Sequence, residues 1–136
     1  GKPKGVAVEH GSISCHTNEV ISYYELTPED HVLQFTSFSF DASVEQILPT
    51  LSSGAALMLP VHGLNTPEGL DQVIREKEVT VINIPPAFFE QWILQRQYSL
   101  DNSSLRLVII GGDLLTTRLV NIWIEAGKRS KRKYVY

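Results

Sequence analysis

Apolar positions in this chain fall into short compact runs separated by segments with helical spacing. Residues 31–36, 55–60, 80–84, 106–110 and 133–136 are such runs, most of them rich in Val, Ile and Leu. Runs of that length, bounded by turn residues, read as strands. Between them, Leu70, Val73 and Ile74 share one face of a segment at 66–78. Leu119, Ile122, Trp123 and Ala126 do the same at 116–126, which stops at Gly127. Further helices are expected at 12–24, 43–51 and 87–97.

Local chemistry marks the helix ends. Thr66 reads as an N-cap with Pro67 at the first helical position. Ser43 and Gln46 stand at capping-box spacing, and Pro49 is expected to end or kink that helix. Alternating strands and helices predict a mostly parallel sheet of about five strands with helices on both faces. No repeat or low-complexity tract interrupts residues 1–136, which read as one α/β unit.

Sheets of this kind bind ligands beyond the carboxyl ends of their strands. Three polar features fall there. Asp41 follows the first strand. Asn83 lies near the end of an apolar strand, just before Pro85-Pro86. Gly111-Gly112-Asp113 follows 106–110. Glycines allow a ligand close to the backbone, and Asp113 suits a sugar hydroxyl. Asp41 and Glu45 stand one helical turn apart and repel by a few tenths of a kcal/mol. A helix face carrying both suits a cation site. Each feature also has a plain structural reading. Asp41 is a preferred helix N-cap residue, and Glu45 reads as solvated or paired with a protein group. Asn83 reads as satisfying a backbone group, and Gly111-Gly112 as a tight turn.

Composition narrows the function classes. The net charge is −3, but five of twelve basic residues sit at Lys128, Arg129, Lys131, Arg132 and Lys133. Seven basic and fifteen acidic residues remain elsewhere, which makes the body a poor nucleic-acid binder. The basic run reads as a solvated loop after a helix C-terminus, where cations are favoured; nucleic-acid contact is the competing reading. Cys15 is the sole cysteine, so no internal disulfide forms and a reducing, cytoplasmic setting is expected. No apolar run reaches membrane-spanning length. His10, His16, His31 and His62 lack metal-ligand spacing, and no metal site is expected.

Taken together, the motifs resemble the adenylate-forming enzymes. Within them the likeness is to the amino-acid-activating adenylation domains of nonribosomal peptide synthetases. Gly1-Lys2-Pro3-Lys4-Gly5 is similar to the end of that family's phosphate loop. Phe40-Asp41-Ala42-Ser43 is similar to its Phe-Asp-x-Ser motif. Ile84-Pro85-Pro86 and Ile109-Ile110-Gly111-Gly112-Asp113 are similar to the segments that line its pocket and approach adenine. All four occur in order and in register along the chain.

The resemblance implies a flavodoxin-like, Rossmann-like three-layer subdomain cut from a larger adenylation domain. Its phosphate-loop tail would be residues 1–5 and its substrate-selecting core about 30–136. The parent would join an amino acid carboxylate to the α-phosphate of Mg-ATP. It would then load the aminoacyl group onto the phosphopantetheine thiol of a carrier domain. Implied partners are the amino acid, the rest of the adenylation domain and the carrier domain, with neither nucleic acid nor membrane. Lys4 would handle the β- and γ-phosphates, and Gly112 and Asp113 would lie near the adenosine. Phe40 would sit by the reacting carboxylate and Asp41 would pair with the α-ammonium. Ala42, Glu45, Asn83, Ile109 and Gly111 would line the side-chain pocket. Glu45 suggests a cationic or polar side chain, lysine or ornithine first.

Two other readings compete. A fragment of an acyl- or aryl-CoA ligase has no ammonium to bind, which leaves Asp41 without a purpose. A stand-alone flavodoxin-like binding domain leaves the half-motif at Gly1 unexplained. The family's Thr-Ser-Gly-Thr-Thr and Tyr-Gly-Pro-Thr-Glu segments and its C-terminal catalytic lysine are not among these residues. No complete catalytic set and no tightly bound cofactor are therefore expected in this chain. The purified 136-residue polypeptide is expected to show only background ATP–pyrophosphate exchange. Exchange above background contradicts that expectation.

Overall fold

The computed structural model describes residues 5–59, 64–95, 104–127 and 133–135. Helix α1, His10–Tyr24, precedes strand β1, His31–Leu33. Helices and strands then alternate: α2 Ala42–Ser52, β2 Ala56–Met58, α3 Pro67–Glu76, β3 Val81–Ile84 and α4 Pro86–Gln95. Strand β4 Leu107–Ile110, helix α5 Thr117–Gly127 and strand β5 Lys133–Val135 complete the series. The strands pair in the order β2-β1-β3-β4-β5, and every pairing is parallel. The sheet has five strands, the number the alternation predicts. The three-residue β5 extends the sheet along β4, with Lys133 opposite Leu107.

Alternation along the strands sorts their side chains onto two faces. Leu33, Ile82, Ile84, Val108 and Ile110 enter the larger core with Leu70, Ile74, Phe89, Trp92 and Trp123. Helices α3, α4 and α5 supply that layer. Its aromatic centre is tight: the Phe89 and Trp123 ring centroids are 5.5 Å apart, and those of Trp92 and Trp123 are 5.7 Å apart. Trp92 Nε1 donates to Asp71 Oδ1 at 2.8 Å, tying α4 to α3. Val32, Val81, Leu107 and Ile109 face the other way and meet Ile21, Tyr24 and Leu26 at the end of α1. Helix α2 packs against α1 on this side. The three layers are therefore α1–α2, sheet, and α3–α4–α5, as the alternation predicts.

One local expectation fails. Ser43 and Gln46 form no capping box. Asp41 takes the N-cap position, its Oδ1 accepting from Ala42 N at 2.9 Å, and Ser43 Oγ donates back to Phe40 O at 2.7 Å. Gln46 turns instead to the sheet. Its Oε1 accepts from Phe35 N at 3.1 Å and Thr36 N at 3.0 Å. Its Nε2 donates to Thr36 Oγ1 at 2.9 Å and Asn83 O at 3.1 Å. These bonds also explain why β1 is shorter than 31–36: past Gln34 the backbone pairs with α2 rather than with a neighbouring strand. Of the two outcomes expected at Pro49, an end to the helix does not occur, because α2 runs on to Ser52. Pro49 and Thr50 are buried against the body, and that packing outweighs the lost N–H bond. Thr66 behaves as expected, capping α3 by accepting from Gly69 N at 3.1 Å, with Pro67 following.

An ion pair braces the opposite end of the sheet. Asp30 is 2% exposed and Arg106 grips it with two bonds of 2.6 Å, Nε to Oδ1 and Nη2 to Oδ2. Thr80 Oγ1 and Thr27 N also donate to this carboxylate, at 2.7 and 2.9 Å. Arg106 then reaches α1, donating to Tyr24 O at 3.2 Å and Glu25 O at 3.0 Å. One side chain thus sets the C-terminus of α1 relative to β1, β3 and β4.

Candidate functional site

Strand order changes direction at β1: β2 lies on one side and β3 on the other. Chains leaving β1 and β3 diverge there and open a crevice at their carboxyl ends. A cavity of about 740 Å³ occupies it. The strand-end features predicted from sequence all line it: Phe40, Asp41, Ala42 and Glu45, then Asn83, then Ile109, Gly111, Gly112 and Asp113. Residues from three separate strand ends, from Phe40 to Asp113, are brought together. Lys4 and the run 128–132 lie outside the described residues.

Each wall has a local cause. Gln46 pins the β1 exit and the β3 end to α2, so Ala42 and Glu45 stand opposite Asn83. Asn83 sits between Ile82 and Ile84, which fill the larger core, and therefore turns to the α2 side. After Ile110 the chain bends through Gly112 at φ +90°, where a side chain would be strained. A Cβ built on Gly111 or Gly112 would meet nothing within 4 Å, so the backbone there is open to a ligand.

The charges are uneven. Asp41 lies at the N-terminus of α2, where the helix field favours an anion. One of its oxygens is held by Ala42 N; the other has no hydrogen-bond partner among the described residues. Glu45, by contrast, is partnered by protein groups. Tyr24 Oη donates to its Oε1 at 2.7 Å and Asn83 Nδ2 approaches the same oxygen at 3.5 Å. His16 Nε2 lies 3.5 Å from Oε2. Burial, then the hydrogen bond and charge of Glu45, push the Tyr24 hydroxyl well above the usual tyrosine range. Tyr24 therefore stays a proton donor at any ordinary pH. Asp113 Oδ1 accepts from Leu114 N at 2.7 Å.

Sequence reasoning missed Tyr24, His16, Gln46 and Arg106. Tyr24 belongs to a helix ahead of the expected core of 30–136, yet it lines the same cavity. Its only sequence signal is a polar-tipped aromatic in the last turn of a helix. Arg106 is signalled better, as a charged residue immediately before the all-apolar strand β4.

Among the described residues no helix is long and apolar enough to cross a membrane. Comparison with known proteins gives a consistent picture. Tyrocidine synthase 3 of Brevibacillus parabrevis is 34% identical over 126 residues, 92% of this chain and 2% of that protein. The nonribosomal peptide synthetase FmoA3, bound to alpha-methyl-L-serine-AMP, superposes with a TM-score of 0.83 at 25% identity. That match covers 98% of this chain and 15% of FmoA3. The NpsA N-terminal subdomain of Klebsiella oxytoca, bound to 3-hydroxybenzoyl-AMSN, gives a TM-score of 0.78 at 25% identity, covering 98% of this chain and 32% of NpsA. The chain thus spans a small part of each relative it matches. The model of the AMP-binding enzyme family matches residues 1–135, and this chain belongs to that family.

Proposed function

We propose that this chain is the amino-acid-recognising subdomain of a nonribosomal peptide synthetase adenylation domain. The whole protein would convert an amino acid and ATP to aminoacyl-AMP and pass the aminoacyl group to a carrier-domain thiol. One observation carries the reading: Asp41, Asn83 and the Gly111–Asp113 bend converge on one cavity at the sheet's switch point. The subdomain would comprise the core at 30–136 together with α1, and residues 1–5 would form the end of a phosphate loop.

The chain's residues would select and orient rather than transform. Asp41 offers its unpartnered oxygen to the α-ammonium, and Phe40 flanks the carboxylate. The open backbone at Gly111 and Gly112 fits the close approach of a nucleotide, and the second oxygen of Asp113, without a hydrogen-bond partner among the described residues, suits a ribose hydroxyl. Bound ATP would supply the adenylyl group, with pyrophosphate as the leaving group, and Mg²⁺ would supply countercharge. Lys4 would contact the phosphates, and the partner domains would bring the phosphopantetheine thiol. Holding two reactants in one crevice is itself a large part of such catalysis. The single cysteine, exposed at Cys15, suits a reducing cytoplasm. An aryl-acid reading has NpsA as a structural neighbour, but it leaves Asp41 with no cation to meet.

The substrate side chain would extend from Asp41 toward Glu45 and Asn83, and would end in a hydrogen-bond donor. Lysine and ornithine remain the first choices. Asp41→Asn separates capping from recognition, because Asn caps helices as well as Asp. In the full-length synthetase this variant is expected to raise the amino acid KM about 10- to 100-fold, the loss expected for one charge-assisted bond. Its unfolding free energy should change by less than about 0.5 kcal/mol. ATP–pyrophosphate exchange kinetics check the first value and urea unfolding the second. An unchanged KM removes Asp41 from the ammonium role.

A further inference from the structure

Glu45 is held by a helix that none of the strand-end motifs includes. Tyr24 and His16 stand eight residues apart on α1, on one stripe of the helix. Tyr24 fixes Oε1 at 2.7 Å and His16 lies 3.5 Å from Oε2. The first turn of α2 is a wall with a cavity on each side. Asp41, Ala42 and Glu45 line both the site and a second cavity of about 560 Å³. Tyr24 and Asn83 line the first, and His16 lines the second. The carboxylate is therefore clamped from both sides of the wall.

We propose that Tyr24 and His16 are specificity-positioning residues, clamping Glu45 so that it presents an acceptor to the donor at the end of the substrate's side chain. This rests on the amino-acid reading of the site. A carboxylate offers about four acceptor positions; Tyr24 and Asn83 take two on Oε1, and His16 stands 3.5 Å from Oε2. The Asn83 contact, at 3.5 Å, is the longest bond to Oε1 and the easiest to exchange for a ligand. Asn83 then receives the same ligand through its amide oxygen. Asp41 and Glu45 are four residues apart, about 6 Å along the axis of α2. That is the reach of an unbranched side chain of lysine or ornithine length. Tyr24 stays protonated beside the half-buried carboxylate, so its bond to Oε1 persists at ordinary pH.

The test is amino-acid-dependent ATP–pyrophosphate exchange by the full-length synthetase with lysine, ornithine, glutamine and norleucine. Norleucine has the length of lysine without its donor. Tyr24→Phe keeps the ring and removes the donated proton. It is expected to lower the kcat/KM ratio of the preferred donor-bearing amino acid over norleucine about tenfold, mainly through KM. His16→Leu is expected to lower the same ratio, and His16→Gln, which keeps a donor, to restore it. A merely structural role moves all four amino acids together and leaves the ratio unchanged, which overturns the proposal. A wild-type preference for norleucine, or exchange that no amino acid stimulates, overturns the underlying reading of the pocket and this proposal with it.

Discussion

Arg106→Ala is expected to destabilise the protein by about 3–5 kcal/mol, the cost of leaving a buried charge without its partner. Surface ion pairs are worth little, but here the carboxylate is buried and only the guanidinium, 32% exposed, reaches solvent. Asp30 is 2% exposed, and the Arg106 fork meets both of its oxygens at 2.6 Å. The same guanidinium bonds two carbonyls at the end of α1. A loss of this size is a large fraction of the roughly 5–15 kcal/mol typical of a whole domain. Urea unfolding measures it, and a cost under about 1 kcal/mol would place the pair in the surface class. Arg106→Lys should recover only part of the loss. A single ammonium carries the charge but not the planar fork.

The pair also sets a pH signature. Burial works against the Asp30 charge. Hydrogen bonds from Arg106, Thr80 and Thr27, with the Arg106 charge, outweigh it and lower the pKa from 3.8 to about 2. A carboxyl depressed in the folded state stabilises it fully above the unfolded value, and that stability drains away as pH falls. The wild type should therefore lose stability between about pH 4 and pH 2. Arg106→Ala removes the main cause of the depression, so its unfolding free energy should fall less over the same interval. Parallel curves for the two proteins would show that Asp30 does not depend on Arg106.

Gln46→Leu is expected to cost about 3 kcal/mol or more. The change keeps the side chain's bulk and removes all of its polar atoms. Phe35 N, Thr36 N and Asn83 O then lose their partner, at about 1–3 kcal/mol for each group left unsatisfied. Gln46→Glu should fall between the two. It restores an acceptor for the two N–H groups but sets a carboxylate oxygen against Asn83 O. Urea unfolding separates the three proteins. A leucine variant as stable as the wild type would mean that water replaces the amide. The leucine variant should also loosen the β3 end, and under the function proposed above the amino acid KM of the full-length protein should then rise as well.

The fold was legible because burial in a layered sheet imposes a period on the chain. Val81, Ile82 and Ile84, and Leu107 to Ile110, must be apolar on both faces because helices cover both. The strand-end residues of the site were legible for a topological reason: crevices open where parallel strands diverge, so Asp41, Asn83 and Gly111 had to share one. What stayed hidden depends on long-range pairing. Tyr24 meets Glu45 across 21 positions and Arg106 meets Asp30 across 76. No local pattern encodes either meeting. Gln46 is the instructive failure. Its spacing from Ser43 matches a helix cap, but two sheet-end N–H groups compete for the same amide and win.

The grip of Arg106 on α1 has a consequence for how such a pocket is redesigned. Arg106 holds main-chain oxygens of residues 24 and 25, which every amino acid possesses. The anchoring of the helix is thus blind to which side chain occupies position 24. A new residue can be installed there, pointed at a new substrate, while the scaffold keeps its hold. Recognition and attachment are written in separate atoms of the same residue.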